Sequence, residues 1–247
     1  MDAMLATRYE GHLPASWTVE PKLDGVRVLI TFNAKFKEVS FRTRNGKRLK
    51  SMEHLADQVI AFAGEMMGDV TLDAEAIDGD FYSSVGKARS NARFQGTLVV
   101  FDIVTPDRWD DRRAFLETWT HNTDSIRLIE THRQADVDAA YASARANGYE
   151  GVVVKDCESF YEPGERSGAW QKLKPVETHD CRVTEVGTDK RSLIIDFKGV
   201  AVKVPLTAWG LDTHPISVGQ LVEVSCQEVT PSGSMRHPRL VRVRWDK

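Results

Sequence analysis

An octapeptide near the start of the chain reads Glu20-Pro21-Lys22-Leu23-Asp24-Gly25-Val26-Arg27. It lies within residues 17–33, a stretch rich in the β-branched and aromatic side chains that favour strands. The Asp-Gly pair at its centre is typical of a two-residue turn, so the stretch predicts a β-hairpin with Lys22 beside the turn. A lysine in that position is ordinarily a solvated surface group, and a K-x-D-G pattern also arises by chance.

The segments that follow predict a mixed α+β block. Strands are predicted at residues 38–43, 70–77, 97–104, 150–155 and 169–174. The spacing of apolar residues predicts helices over residues 51–65, 111–120 and 135–147. We expect Ser51 to be the N-cap of the first helix and Asn147-Gly148 to end the last.

The pattern changes near Pro175–His179. From Thr178 onward the helical signals almost disappear, and short strands are predicted at about 181–187, 192–198, 200–204, 220–228 and 239–244. A series of five short strands is typical of a small barrel of the OB type. The sequence therefore predicts an α+β domain at residues 1–176 and an all-β domain at residues 177–247.

The charge is nearly balanced over the chain but unevenly distributed. There are 33 basic and 36 acidic groups among 247 residues, which argues weakly against a protein that coats nucleic acid by bulk charge. Residues 178–247 carry 10 basic and 8 acidic groups, whereas the preceding residues carry 23 and 28. Residues 35–50 hold seven basic groups against one acid, Glu38. This cluster is either a solvated hairpin or a local phosphate-binding face.

Composition and motifs exclude several classes of protein. Cys157, Cys181 and Cys226 are widely spaced without a C-x-x-C pair, which disfavours a disulfide framework and a structural zinc site. No apolar run approaches the ~20 residues of a membrane span, and the first residues lack the features of a signal peptide. We therefore expect a cytoplasmic protein. Walker A, GxGxxG, HExxH and GxSxG motifs are all missing from the sequence.

A series of further segments follows Lys22-Leu23-Asp24-Gly25 in a fixed order. In chain order they are RTRNG at 42–46, LDAE at 72–75, VFD at 100–102, EGVVVK at 150–155, WQKLK at 170–174, RHPR at 236–239 and RWDK at 244–247. Together they resemble motifs I, Ia, III, IIIa, IV, V and VI of the covalent nucleotidyltransferases. Within that superfamily the chain resembles the ATP-dependent DNA ligases from about residue 17 to 247. Residues 51–55, 161–174 and 228–238 are most similar to ligases of small tailed bacteriophages.

The resemblance implies a fold and a nucleophile. The implied fold is an ATP-grasp-like adenylation domain of antiparallel sheets with helices, followed by an OB-fold domain. Lys22 would attack the α-phosphate of ATP, and a lysine does this only as a neutral amine. Lys172 and Lys174, two positions apart on one predicted strand, would hold the α-phosphate and help to keep Lys22 uncharged. Arg244 and Lys247 of motif VI would orient the pyrophosphate, from a barrel that moves on a linker at 175–179.

Other residues are assigned to the nucleotide and the metal by the same resemblance. Glu20 matches the position that reads the adenine edge, and Phe101 the aromatic residue that stacks on adenine. By the same resemblance, the ribose or the phosphates would be contacted by Arg27, Arg44, Lys155 and Arg166. Glu75, which in the family also reaches the ribose, and Glu150 are the predicted ligands for Mg²⁺, or alternatively Mn²⁺, because hard cations prefer carboxylate oxygens. We expect Asp73 and Asp102 to support these groups.

Three features and three rivals qualify this interpretation. Lys22 lies so near the start that no N-terminal DNA-binding domain is expected, motif VI occupies the final residues, and Ala74 stands where glycine is common. The partner implied is nicked double-stranded DNA, bound by a monomer. An RNA ligase or mRNA-capping guanylyltransferase would use the same lysine, an NAD-dependent ligase would need four zinc-binding cysteines, and an inert OB-fold protein would bind DNA without catalysis.

Overall fold

A computed structural model of the chain describes residues 2–63, 68–79, 81–90, 92–187, 191–206 and 216–244, without the side chains of residues 81, 82 and 89. Contacts between Cα atoms divide the chain into a first unit, Met1–Leu173, and a second unit, Lys174–Lys247. The division lies three residues before the boundary expected from the sequence. The three cysteines are free. Among the residues described, no helix has the length and apolar character that crossing a bilayer requires.

The first unit contains ten strands and four α-helices among its described residues. The strands are β1 (Leu5–Arg8), β2 (Trp17–Lys22), β3 (Val26–Asn33), β4 (Glu38–Thr43), β5 (Val70–Ile77), β6 (Thr97–Ile103), β7 (Ile126–Leu128), β8 (His132–Arg133), β9 (Gly151–Asp156) and β10 (Arg166–Leu173). The helices are α1 (Ala56–Ala63), α2 (Phe81–Arg89), α3 (Trp109–Trp119) and α4 (Val137–Ala146), and a 3₁₀ helix spans Lys50–Leu55. The α+β class predicted for this part of the chain is confirmed.

These strands form two five-stranded sheets. The first sheet has the order β1-β10-β9-β2-β8, and the second has the order β4-β3-β5-β6-β7. Pairing is antiparallel except for β1 with β10 and β6 with β7. Val19, Val152 and Val154 cover one face of the first sheet and pack with α4 residues. The second sheet carries the largest apolar cluster, which includes Ile30, Leu72 and residues of α1.

The predicted hairpin at residues 17–33 is wrong in its pairing. Its two strands exist, but β2 pairs with β8 and β9 in the first sheet, whereas β3 pairs with β4 and β5 in the second. The Asp24-Gly25 step therefore carries the chain from one sheet to the other. A Cβ atom added to Gly25 would lie 2.2 Å from the carbonyl oxygen of Ala76, so close approach of β5 requires glycine there.

The helices differ from the sequence expectations at two places and agree at a third. Ser51 does not cap a helix: the helical region starts as a 3₁₀ turn at Lys50, and the Ser51 hydroxyl donates to the carbonyl oxygen of Ala88. Helix α2 was not predicted, because its segment has little apolar periodicity. The end of α4 matches the sequence, since Asn147 follows the last helical residue and Gly148 has a φ of 80°.

The second unit is all β among its described residues. Its strands are β11 (Glu177–Val186), β12 (Ser192–Phe197), β13 (Val200–Pro205), β14 (Leu221–Cys226), β15 (Glu228–Val229), β16 (Met235–Arg236) and β17 (Arg239–Val243). Five of them form an antiparallel sheet with the order β13-β12-β11-β14-β17, and β15 pairs with β16. Alternate residues of these strands, such as Val183, Ile195 and Val224, enclose a separate apolar core.

Candidate active site

One face of the first sheet carries polar side chains instead of core residues. Thr18, Glu20 and Lys22 alternate along β2 and therefore share this face. Lys155 of β9 lies directly opposite Thr18, and Trp170 of β10 lies directly opposite Lys155. Contacts from this face reach residues of the second sheet, so the two sheets enclose a cleft between them.

Lys22 ends β2 where the chain leaves the first sheet. Its ammonium group forms an ion pair with a carboxylate oxygen of Glu150, and the two side chains are 23% and 6% exposed. The backbone amide of Glu150 donates to the carbonyl oxygen of Lys22 at 2.9 Å, which fixes the two residues beside each other. Cations were expected beside Lys22, but the described partner of its amine is the carboxylate of Glu150, the residue that precedes β9.

Glu75 lies on the other side of the chain crossing. Its Oε1 accepts a hydrogen bond of 3.1 Å from the backbone amide of Gly25. Burial raises the pKa of Glu75 to about 7, even though the positive charges of Lys22 and Arg27 act in the opposite direction. The amine of Lys22 thus lies in a region with two carboxylates, Glu75 and Glu150, which is a donor set that a hard divalent cation accepts.

Lys155 and Glu20 form a buried ion pair, 1% and 2% exposed, with 2.9 Å between Nζ and Oε2. The ammonium also donates to the carbonyl oxygen of Phe101 at 2.9 Å and lies 3.5 Å from a carboxylate oxygen of Asp102. Burial raises the pKa of Glu20, against the effect of Lys155. The second oxygen of Glu20, Oε1, is buried and has no hydrogen-bond partner among the described residues. It is therefore an acceptor still available to a ligand.

Aromatic rings line the same part of the cleft. Phe101 is partly exposed and meets Trp170 edge to face, with 6.1 Å between ring centroids. The ammonium of Lys155 lies 4.4 Å from the ring centroid of Trp170 and 5.1 Å from that of Phe101, which are cation–π distances. Trp170 Nε1 and Thr18 Oγ1 are buried without hydrogen-bond partners among the described residues.

Arg27 is clamped by residues from three parts of the first unit. It bonds both carboxylate oxygens of Asp73, at 2.8 and 2.5 Å, and donates to the carbonyl oxygen of Met4 at 2.6 Å. Although burial opposes its charge, the Asp73 carboxylate raises the pKa of Arg27. Tyr161 donates to Asp73 at 2.6 Å, and burial together with that carboxylate raises the pKa of the Tyr161 hydroxyl.

Several predicted residues lie elsewhere or make other contacts. Arg44 is exposed in the turn after β4, and Arg166 is exposed while donating to the carbonyl oxygen of Ala6 at 2.6 Å. Lys172 donates to the same carbonyl oxygen at 3.1 Å. Lys174 follows the end of β10 and, in the second unit, donates to Gln227 Oε1 at 2.6 Å. The two lysines therefore do not share one strand as expected.

The two motif VI residues have different outcomes. Arg244 belongs to the second unit, where it forms a 2.6 Å ion pair with Asp180 and lies 3.7 Å from a carboxylate oxygen of Glu223. Lys247 lies outside the described residues.

Three contributors to the site were not identified from the sequence. Tyr161 and Met4 hold the Arg27–Asp73 pair, and Arg112 bonds Asp102 from helix α3 at 2.7 Å. Asp73 and Asp102 were expected to support the site, and they do so by ion pairs with Arg27, Arg112 and Lys155. Trp170 stood in the WQKLK segment, but no pattern indicated that its indole nitrogen would be buried with no hydrogen-bond partner in the part of the chain that the structure describes.

Comparisons with known proteins identify the family. The model of the ATP-dependent DNA ligase domain matches residues 3–174. The multifunctional non-homologous end joining DNA repair protein LigD of Mycobacterium tuberculosis is 31% identical over 194 residues, which are 72% of this chain and 24% of LigD. The DNA ligase of enterobacteria phage T3 is 26% identical over 204 residues, 69% of this chain and 58% of that ligase. The chain thus spans less than two thirds of either relative.

Solved structures support the fold of both units. A Lig E DNA ligase, described as binding DNA with a minimal scaffold, is 22% identical and covers 99% of each chain with a TM-score of 0.75. This similarity confirms the predicted adenylation domain followed by an OB-fold domain. With the match of the family model over most of the sequence, the chain belongs to the ATP-dependent DNA ligase domain family.

Proposed function

We propose that the chain is an ATP-dependent DNA ligase that seals nicks in duplex DNA through a covalent AMP adduct on Lys22. The observation that carries the proposal is the position of the Lys22 amine. It lies between two carboxylates at the crossing of two sheets, on the strand face that also presents the available acceptor of Glu20. Membership in the ligase family supplies the reaction class.

The proposed first step forms a bond between Lys22 Nζ and the α-phosphorus of ATP while the bond from that phosphorus to pyrophosphate breaks. The amine must lose a proton before it attacks, and exchange of Glu150 from its pair with Lys22 to a bound cation would favour the neutral amine. In the second step a 5′-phosphate oxygen at the nick attacks the same phosphorus and releases Lys22. In the third step the 3′-hydroxyl attacks the activated 5′-phosphate, and AMP leaves.

Glu20 supports a preference for adenine over guanine. Its Oε2 is held by Lys155, so Oε1 remains as the acceptor for a donor on the base. Adenine presents an amino group at its six position, whereas guanine presents a carbonyl oxygen there, which a carboxylate repels. Phe101, partly exposed beside this group, would stack on the base, and Arg27, Lys155 and Arg166 would serve the ribose and phosphates. A capping enzyme would require the opposite preference.

Glu75 and Glu150 fit a magnesium ion, because both carboxylates lie near the amine that must meet the triphosphate. Bound Mg²⁺, or Mn²⁺ in its place, would neutralise phosphate charge as pyrophosphate leaves. Glu75, with its pKa near 7, would be shifted to the carboxylate form by a cation, while Glu150 would exchange its Lys22 partner for the ion.

DNA would be held by exposed basic groups. In residues 35–50, Arg44 and its neighbours lie at the surface of the β3–β4 hairpin and its following turn. We assign DNA phosphate contacts to this cluster, the α-phosphate of ATP to Lys172 and Lys174, and the pyrophosphate to Arg244 and Lys247 of motif VI. Double-stranded DNA bound by a monomer in the cytoplasm is the proposed setting, and phage and bacterial relatives support it.

A nick-sealing assay tests the proposal. The wild-type chain with Mg²⁺ is given a nicked duplex whose strands are all DNA, with ATP or GTP, and a parallel duplex with RNA on one side of the nick. We expect sealing of the DNA nick with ATP alone. Lys22→Ala should remove sealing, while Lys87→Ala, which loses only an exposed pair with Asp78, should retain it. Sealing by Lys22→Ala, or use of GTP in preference to ATP, would contradict the proposal.

A further inference from the structure

Three side chains of different chemistry meet at one end of the second unit's core. Glu177 and His179 are two residues apart on β11, so they share a strand face. Cys226, the last residue of β14, lies directly opposite Glu177 in the antiparallel pairing. Their side chains are therefore neighbours on the face that continues inward to the buried Val222 and Val224.

The distances among these side chains suit a metal ion. One nitrogen, oxygen or sulfur atom from each residue lies within 4.8 Å of the other two. His179 Nε2 and Glu177 Oε2 are 3.3 Å apart. In a tetrahedral zinc site, bond lengths of about 2.0–2.3 Å place ligand atoms roughly 3.3–3.6 Å apart. The histidine and glutamate already have this separation, and the thiol lies within 4.8 Å of both.

Cys226 is held in place by burial, whereas His179 and Glu177 keep the arrangement open to solvent. Cys226 is a free cysteine with 2% exposure. The ring of His179 packs against that of Phe197 with 4.8 Å between centroids, which restricts its orientation. The side chains of His179 and Glu177 are 25% and 49% exposed, so an ion can enter from solvent without opening the core.

We propose that Glu177, His179 and Cys226 form a binding site for a zinc-class divalent cation. A thiolate and an imidazole select zinc or cobalt over magnesium, whose preferred ligands are oxygen atoms. The imidazole of His179 binds the cation as the neutral ring through Nε2, Glu177 binds as the carboxylate, and the thiol of Cys226 releases its proton to solvent. With three protein ligands, the fourth position holds water. The widely spaced cysteines gave no sign of this site, because the pairing of β11 with β14 is what brings Cys226 beside Glu177.

Cobalt titration of the full chain tests the site. The protein is treated with EDTA, dialysed without Mg²⁺, and titrated with Co²⁺ while the thiolate-to-cobalt charge-transfer band is recorded. We expect saturation at one equivalent, loss of the band when Zn²⁺ is added, and no band from Cys226→Ser. His179→Gln, at a partly exposed position, should weaken cobalt binding by about tenfold or more.

Cys181→Ser is the matched control, because Cys181 is equally buried on the same strand face but is not among the three ligands. It should retain the band, and so should Lys22→Ala, since Lys22 belongs to the first unit. The proposal is overturned if the wild-type chain gives no band, if Cys226→Ser keeps it, if His179→Gln binds as tightly as wild type, or if Cys181→Ser loses it. Loss of the band in Lys22→Ala would also overturn it, by assigning the cobalt to the nucleotide region.

Discussion

The cleft of the first unit and the core of the second are built from different chemistry. Seven charged residues are buried in the part of the first unit that the structure describes, namely Glu20, Asp73, Asp102, Arg112, Arg113, Glu150 and Lys155. Among the described residues of the second unit only Arg236 is a buried charged side chain, and its partner Glu228 is 47% exposed. The second core otherwise consists of aliphatic residues, Phe197, Met235 and two cysteines.

We infer from this difference that the buried residues of the second unit mainly stabilise its fold, whereas the buried charges of the first unit serve the candidate site. Burying an ion pair costs desolvation that the attraction between the charges often only offsets, so an apolar core is the simpler way to stabilise a fold. The second unit follows that simpler way. In the first unit, Glu150 pairs with Lys22, and Lys155 holds Glu20, whose second oxygen is the available acceptor. We infer that these charges are placed for the reaction and that their stabilising effect depends on their remaining paired.

The largest effect is expected for Lys22→Arg, which should abolish adduct formation while leaving the folding of the cleft almost unchanged. Lys22→Arg keeps the positive charge beside Glu150, but a guanidinium does not lose its proton and cannot act as the nucleophile. Adduct formation with ATP should fall by more than about 10⁴-fold, while the free energy of unfolding changes by less than about 1 kcal/mol. Adduct assays and urea denaturation measure the two quantities. A destabilised variant would show that the Lys22 pair is structural.

Lys155→Met tests the cost of breaking a buried pair. The change leaves the carboxylates of Glu20 and Asp102 without their shared ammonium, so we expect a loss of about 3–5 kcal/mol in unfolding free energy. Arg242→Met is the matched change in the second unit, where Arg242 pairs with Glu223 at 2.7 Å and its side chain is 57% exposed. That variant should lose less than about 1 kcal/mol. Equal losses in urea denaturation would contradict the contrast between the two regions.

Glu75 should make the stability of the cleft depend on pH. Its pKa is raised from 4.5 to about 7, so the folded state holds the proton more tightly than the unfolded state. The resulting stabilisation is fully present below about pH 4.5 and is lost as pH rises through about 7, on the order of 3 kcal/mol. Glu75→Gln cannot ionise. Its unfolding free energy should therefore lack this decline between about pH 5 and 8, and parallel curves for the two proteins would disprove the shift.

The smallest effect is expected at exposed charges outside the cleft. Arg44→Ala should leave stability unchanged within about 0.5 kcal/mol, because Arg44 is exposed. If Arg44 contacts a phosphate, the slope of log binding constant against log salt for nicked DNA should decrease by about one. Arg127→Ala, also exposed but outside the basic hairpin, is the control with an unchanged slope. The same slope for both variants would remove the hairpin from the DNA interface.

Much of the fold could be predicted because local signals agreed with the tertiary structure. Strands β4 and β5 match their predicted bounds, since their patterns alternate and their ends are marked by turn residues. The hairpin failed because Asp-Gly also serves where a chain changes sheets, and sequence does not reveal which strands will pair. Helix α2 was missed because its stability comes from packing instead of apolar periodicity.

The candidate site was predictable to a similar degree. Motif order pointed to Lys22, Glu75, Glu150 and Lys155, and the structure brings these groups to one cleft. The hydrogen-bond partners of the charged residues could not be predicted. Tyr161 and Met4 are distant in sequence from the Asp73–Arg27 pair that they contact, and Arg112 reaches Asp102 from helix α3. The nucleotide, metal and DNA contacts assigned to all of these residues remain predictions, as do those of Lys174, Arg244 and Lys247.

The most direct measurement of the central claim is the mass of the protein after incubation with ATP and Mg²⁺. We predict that the chain gains the mass of one AMP, that peptide mapping places it on Lys22, and that adding pyrophosphate or nicked DNA removes it. An unmodified chain, or AMP attached to any residue other than Lys22, would contradict the account.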